Sequence, residues 1–132
     1  MNREAVDSLY RILLSAYGPQ GWWPADTPWE VCVSAVLTQR VAWRNAEAAL
    51  RGLRAAGLLS AEALDAAPVE AIAEAIRPAL FYNAKARKLK ALAHAVIERW
   101  GGDPTRMRRG APDAVRASLL EIHGIGSETA DA

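Results

Sequence analysis

Leu119-Leu120-Glu121-Ile122-His123-Gly124-Ile125-Gly126-Ser127-Glu128-Thr129-Ala130-Asp131-Ala132 is the stretch whose reading decides the fold. Gly124-Ile125-Gly126 stands between an apolar run that fits the end of one helix and a polar-then-alanine run that fits the start of another. The spacing therefore predicts a hairpin joining two short helices. So tight a reversal puts residues at positive φ and brings backbone against its neighbours, and a Cβ obstructs both. The second helix then opens with free N–H groups at Gly126, Ser127 and Glu128, which with the helix dipole make a seat for one phosphate. Plain turn chemistry is the competing explanation of a G-x-G pattern taken alone.

Around this hairpin lies a chain of 132 residues, long enough for one domain with a real core. Apolar residues at 52% and charged residues at 23% exclude a disordered or fibrous protein. The net charge of +1 announces no nucleic-acid partner, so any contact with one has to come from a local patch. A single cysteine, Cys32, rules out an internal disulfide and a four-cysteine iron-sulfur or zinc site built from this chain alone, so no metal or cofactor is assigned to it. No run approaches the roughly 20 apolar residues of a membrane span, and a cytoplasmic protein is the default expectation.

Working back along the chain, Val6, Leu9, Tyr10, Leu13, Leu14 and Tyr17 recur at three and four residues and predict one buried stripe on a helix over Arg3 to Tyr17. Gly18-Pro19 ends it, and Trp22-Trp23-Pro24 falls in a loop. Asp26 and Thr27 are plausible caps for a helix beginning at Pro28. Trp29 to Leu37 is apolar nearly all round and should be the central buried helix. A third helix is expected from near Gln39, about Val41 to Ala56, followed by a short connection from Leu58 to Ala67 with Ser60 as a cap. Pro68 opens a helix that Pro78 stops. Ala86, Leu89, Leu92, Ala93, Val96, Ile97 and Trp100 mark the clearest helix, Asn83 to Trp100. A loop with Pro104, Arg106, Arg108 and Arg109 follows, and Pro112 starts the helix that enters the hairpin. No stretch alternates with period two long enough for a strand, so the class is all-α, as seven or eight short helices.

Leu119, Leu120, Ile122, Gly124, Ile125, Gly126, Thr129 and Ala130 in this order resemble the helix-hairpin-helix motif of the endonuclease III superfamily of DNA glycosylases. Leu80-Phe81-Tyr82-Asn83-Ala84-Lys85-Ala86 resembles a second family stretch, glycine-x-tyrosine-asparagine-x-lysine-alanine, with Leu80-Phe81 departing from the glycine pattern. Trp22-Trp23-Pro24 and Trp43 resemble one branch, the bacterial 3-methyladenine glycosylases built on the endonuclease III fold. The resemblance covers nearly the whole chain from about Tyr17. It implies a six-helix barrel over residues 28–132, with the helix-hairpin-helix at about 112–132. Residues 1–27, the N-terminal helix and aromatic loop, would belong to a companion domain whose other half lies beyond Ala132, where many relatives hold an iron-sulfur cluster.

The same resemblance implies base-excision chemistry on double-stranded DNA carrying a damaged, most readily an alkylated, base, by a monomeric bacterial protein acting at the nucleoid. A base attacked inside a duplex must be rotated out, and Trp22, Trp23, Pro24 and Trp43 would hold it. Flat indole faces replace the stacking it loses and attract a cationic N3-alkylated adenine. The alternative is that these tryptophans are core and loop anchors. Relatives that cut the strand place a lysine two residues after the second hairpin glycine, to form a Schiff base at C1′. Here that residue is Glu128, so lyase chemistry is not expected. Glu128 either faces the base pocket or is a solvated first-turn glutamate. Monofunctional relatives use an aspartate roughly one and a half dozen residues further on. No catalytic residue is therefore assigned within the chain, and Asp131 reads as a surface carboxylate.

Gln39 matches the glutamine that enters the duplex gap left by the flipped nucleotide. Gly124, Ile125, Gly126 and Ser127, with Lys85 and its neighbours Arg87, Lys88 and Lys90, would supply phosphate contacts, against the alternative of a solvated helix face. Two functions remain open at this point: a glycosylase, inactive without the residues beyond Ala132, or a non-catalytic helix-hairpin-helix DNA-binding module.

Overall fold

Thr27 begins the helix on which the rest is assembled: its hydroxyl accepts from Glu30 N at 3.2 Å and Pro28 occupies the first turn of α2, Pro28–Leu37. Proline at this position loses no bond, because the first N–H groups of a helix have no intrahelical partner. The computed structural model describes residues 2–132. α2 is buried on nearly all sides, as its near-continuous apolar sequence requires, and Val33, Val36 and Leu37 are closed to solvent. Its two polar residues are buried with partners. Ser34 Oγ accepts from Trp23 Nε1, and Glu30 holds Arg54 at 2.7 Å and accepts from Asp26 N.

Around α2 stand α3 (Trp43–Ala55), α4 (Ala61–Ala66), α5 (Val69–Ala75) and the long α6 (Tyr82–Trp100). α6 lays its stripe of Ala86, Leu89, Leu92, Ala93 and Val96 against α4, α5 and α2. Each Leu, Ile or Val sealed into this core contributes about 1.5–3 kcal/mol. α3 passes the end of α5 so closely that a Cβ on Gly52 would stand 2.1 Å from Ala75 O. A 3-10 turn, Pro104–Arg109, leads to α7 (Pro112–Leu120), and the hairpin brings back α8, Ser127–Asp131. Every secondary-structure element among the described residues is an α- or 3-10 helix, and none of these helices is long and apolar enough to cross a membrane.

Four expectations need correction. The connection from Leu58 to Ala67 contains α4, capped by Ser60 Oγ on Ala63 N. Its six residues are too few to show a helical period. α3 starts at Trp43, while Gln39 lies in the turn after α2, where Arg40 sits at φ 59°. The arginine loop is a 3-10 helix. Lastly, α1 (Arg3–Tyr17) forms as the periodicity predicts, with Asn2 capping Ala5 N, but none of its residues is buried. The stripe expected to be covered is open, with Tyr10 and Tyr17 63% and 74% exposed. The aromatic loop, by contrast, packs on α2 and α3 through Trp23.

Candidate functional site

A cleft of about 690 Å³ opens where the aromatic loop, the turn after α2, the start of α6 and the hairpin converge. One wall is aromatic. Trp23 is fixed by its Nε1 donation to Ser34 Oγ at 2.9 Å, and Ser34 Oγ in turn donates to Val31 O at 3.1 Å. Trp43 meets the Trp23 ring edge-on, centroids 5.3 Å apart at 79°. Trp22 completes the cluster at 5.0 Å from Trp23 and 6.1 Å from Trp43. A flat base sandwiched between two rings needs a gap of about 7 Å, twice the stacking repeat of about 3.4 Å, so in the free protein the indoles fill one another's space. Trp22, 65% exposed, is the ring that can swing away. Trp43 Nε1 is shut off from solvent and has no acceptor among the described residues. Such a donor costs about 1–3 kcal/mol. Pro24, expected in the pocket, is exposed and stands outside the cleft lining.

The facing wall is polar. Gln39 Nε2 donates to Gly124 O and to Thr129 Oγ1, both at 3.0 Å, and Gln39 Oε1 accepts from Lys88 Nζ at 2.8 Å. The residue expected to reach into DNA is thus spent, in the free protein, on bolting the hairpin to the barrel. The stem of Lys88 lies directly over Gly124, where a Cβ would stand 2.1 Å from Lys88 Cγ. Gly124 is also at φ 86°, as the hairpin reading requires. Gly126 is different: its backbone is extended, and a Cβ there would meet nothing within 4 Å. The space before the N–H groups of Ser127 and Glu128 is therefore empty, and no side chain caps α8. Ile125 is corrected as a DNA contact. Its side chain is buried, and its N–H donates to Ile122 O at 3.1 Å, so with Ile122 it anchors the hairpin instead.

Ser127 and Glu128 are exposed, and Glu128 lines the cleft as the one carboxylate among its described residues. Asp131 is held at 2.7 Å by Arg116, which keeps its carboxyl below the ordinary carboxylate range and pins α8 to α7. The sequence alone predicts a surface carboxylate; its pairing with Arg116 is added by the structure.

Lys85 is the largest correction. Far from a solvated face, it is 1% exposed, and its ammonium donates to Leu37 O at 2.9 Å and to Ala79 O at 2.7 Å. No phosphate can reach it. The signal was present in the sequence, because Lys85 falls in phase with Leu89, Leu92 and Val96 on the buried stripe. Lys90 likewise turns inward, to the carbonyls of Asp65 and Ala67, whereas Arg87 remains exposed on the outer surface.

Leu80 and Phe81 carry the feature that the departure from the glycine pattern signalled. Both are left-handed, at φ 53°, ψ 169° and φ 46°, ψ 31°. For residues with a Cβ such backbone costs about 1–3 kcal/mol each. Both side chains are more than half exposed, and Phe81, like Gln39, lines the cleft. An apolar pair held out on a strained turn beside a cleft suits insertion between stacked bases.

The sequence pattern of the HhH-GPD superfamily of base excision DNA repair proteins matches residues 33–129. A protein of Methanocaldococcus jannaschii named as a DNA repair glycosylase is 40% identical over 129 residues, 97% of this chain and 59% of its own length. A chloroplastic endonuclease III homologue of Arabidopsis thaliana is 31% identical over 107 residues, 81% of this chain and 26% of its own length. Among solved structures, the H. pylori 3-methyladenine DNA glycosylase bound to 1,N6-ethenoadenine superposes with a TM-score of 0.75 at 27% identity, covering 97% of this chain and 60% of that one. The chain thus spans about three-fifths of the length of the Methanocaldococcus and H. pylori proteins and about a quarter of the Arabidopsis one. With a hairpin, a barrel and an aromatic cleft arranged in this way, it belongs to the HhH-GPD superfamily of base excision DNA repair proteins.

Proposed function

We propose that this domain captures a flipped, alkylated purine in double-stranded DNA, as the recognition part of a monofunctional glycosylase that hydrolyses the N-glycosidic bond. The observation that carries this reading is the convergence of three tryptophan rings and an uncapped hairpin helix on one cleft. Phosphate at the hairpin fixes register, and indole faces supply the stacking and cation–π attraction that a cationic purine favours, about 1–2 kcal/mol for the latter in a dry site. Glu128 stands where strand-cutting relatives have lysine, and it faces the cationic base without forming a Schiff base. On this reading the protein acts as a monomer on bacterial nucleoid DNA.

The test is quenching of tryptophan fluorescence by 3-methyladenine in mildly acid solution, where the free base is protonated and carries the positive charge that the alkylated base has in DNA, with adenine as control. Preferential quenching by the alkylated base, lost in Trp22→Ala and weakened in Glu128→Gln, is the expected result. Equal response to both bases overturns the pocket assignment.

One observation favours a second reading, a non-catalytic DNA-binding module. Among the described cleft residues Glu128 is the lone carboxylate, and Asp131 is committed to Arg116. A single-turnover release assay on 3-methyladenine duplex separates the two: the 132-residue chain is expected to bind without release, and release abolished by Glu128→Gln would make Glu128 the catalytic acid or base.

A further inference from the structure

We propose that Lys85 is a positioning residue that sets Gln39 and Phe81, both lining the cleft, at a fixed spacing; the inference rests on the damaged-base reading above.

A buried ammonium is costly, and among the described residues no carboxylate pairs with Lys85. An apolar side chain of similar length would fill the same space at lower cost. What the ammonium does, and a methyl cannot, is join two backbone carbonyls. Leu37 is the last residue of α2 and Ala79 the last of the 3-10 turn Arg77–Ala79. Both carbonyls lie at helix C-termini, where intrahelical donors run out and a cation is favoured. One ammonium therefore caps two helix ends at once.

The position of those two ends gives the clasp its meaning. Gln39 follows Leu37 by two residues, and Phe81 follows Ala79 by two. The two groups lining the cleft are thus each carried on a short arm, and both arms leave from the same ammonium. The Phe81 ring itself lies 5.8 Å from Lys85 Nζ, within reach of cation–π attraction. Two consecutive left-handed residues, Leu80 and Phe81, would relax if the Ala79 carbonyl were released. Burial, and then the charge of Lys88, pull the Lys85 ammonium down to about 8, so it is still largely charged at neutral pH.

Lys85→Met is the direct perturbation. The readouts are affinities of the full chain for intact duplex and for duplex carrying a tetrahydrofuran abasic analogue, with stability measured in parallel. Loss of the preference for the abasic duplex by about tenfold, with intact-duplex affinity unchanged, is expected if the clasp positions the inserted groups. In a Gln39→Ala, Phe81→Ala background the same substitution is expected to change selectivity no further. An equal loss of both affinities, or a selectivity loss that persists in that background, overturns the proposal.

Should Lys85→Met not fold, the coupling between Gln39→Ala and Phe81→Ala in the wild-type chain decides the matter. Non-additivity of about threefold or more in selectivity is expected of two arms on one clasp, and strict additivity overturns it. A wild-type chain that binds intact and abasic duplex equally removes the damaged-base reading itself, and the inference with it.

Discussion

Replacing Gly124 by alanine is expected to detach the hairpin, and the structure allows the magnitude to be worked out. The residue is at φ 86°, where an L-residue is disfavoured by about 1–2 kcal/mol. The new methyl would stand 2.1, 2.5 and 2.8 Å from Cγ, Cδ and Cβ of Lys88, so that side chain must leave. Its hydrogen bond to Gln39 Oε1 then breaks, a further loss of about 0.5–1.5 kcal/mol. Together these give about 1.5–3.5 kcal/mol. An upper limit comes from peeling the hairpin off altogether, which exposes Ile122 and Ile125 at about 1.5–3 kcal/mol each. In thermal unfolding of a chain this size, at about 4 °C per kcal/mol, the midpoint should fall by roughly 6–14 °C. Gly126→Ala is the matched control. Its extended backbone suits any residue and its Cβ would meet nothing within 4 Å, so stability should stay within about 0.5 kcal/mol. That methyl nonetheless stands in front of the free amides, so affinity for duplex DNA should drop about tenfold, equivalent to about 1.4 kcal/mol. Gly124→Ala as stable as wild type, or Gly126→Ala binding DNA as wild type does, would refute the division of labour between the two glycines.

Trp43→Phe keeps an aromatic face and removes the indole N–H that has no acceptor, so stability should hold or rise by about 1 kcal/mol while quenching by cationic 3-methyladenine weakens only a few-fold, to be measured by urea unfolding and fluorescence titration. Burial pushes the Cys32 thiol up from 9.0 to about 11. The unfolded chain therefore loses its thiol proton first as pH rises through that window, and stability falls there; Cys32→Ala should lessen the decline between pH 9 and 11, and wild-type Cys32 should resist iodoacetamide at pH 8 until the chain is unfolded.

What was legible in the sequence was what local pattern controls. α6 followed from a seven-residue recurrence of apolar side chains, α2 from an unbroken apolar run behind a threonine-proline cap, and the hairpin from two glycines between apolar and polar runs. What was not legible depended on distant partners. Gln39 meets the hairpin across 85 and 90 residues of chain, and no local pattern tells an outward glutamine from one so engaged. Lys85 is the mixed case: its phase with Leu89, Leu92 and Val96 was legible, but the rule that lysine faces water overrode it, since the carbonyls of Leu37 and Ala79 that repay its burial show in no local pattern. α1 shows the converse: the helix forms where the periodicity predicts it but its stripe is not buried, because periodicity says only that a face is apolar, not that anything covers it.

The engagement of Gln39 also bears on how the cleft meets DNA. For its amide to leave the hairpin, three hydrogen bonds must break, two from Nε2 and one to Oε1, a cost of about 0.5–1.5 kcal/mol each before any contact with bases is made. Lys88 is the member of this set with a second use, since its stem lies over Gly124 and it lines the same cleft as the hairpin, so that a phosphate seated at the hairpin would compete with Gln39 for its ammonium. Register on the backbone and release of Gln39 are then one event. Lys88→Met separates the two consequences: losing a phosphate contact should lower affinity for intact duplex and reduce the salt slope by about 0.9, while losing the bond to Oε1 lowers the cost of releasing Gln39 and should increase the preference for an abasic duplex. Opposite movement of affinity and selectivity in a salt-resolved titration is the expected signature. A parallel fall in both would mean that Gln39 is a structural bolt in the bound protein as in the free one.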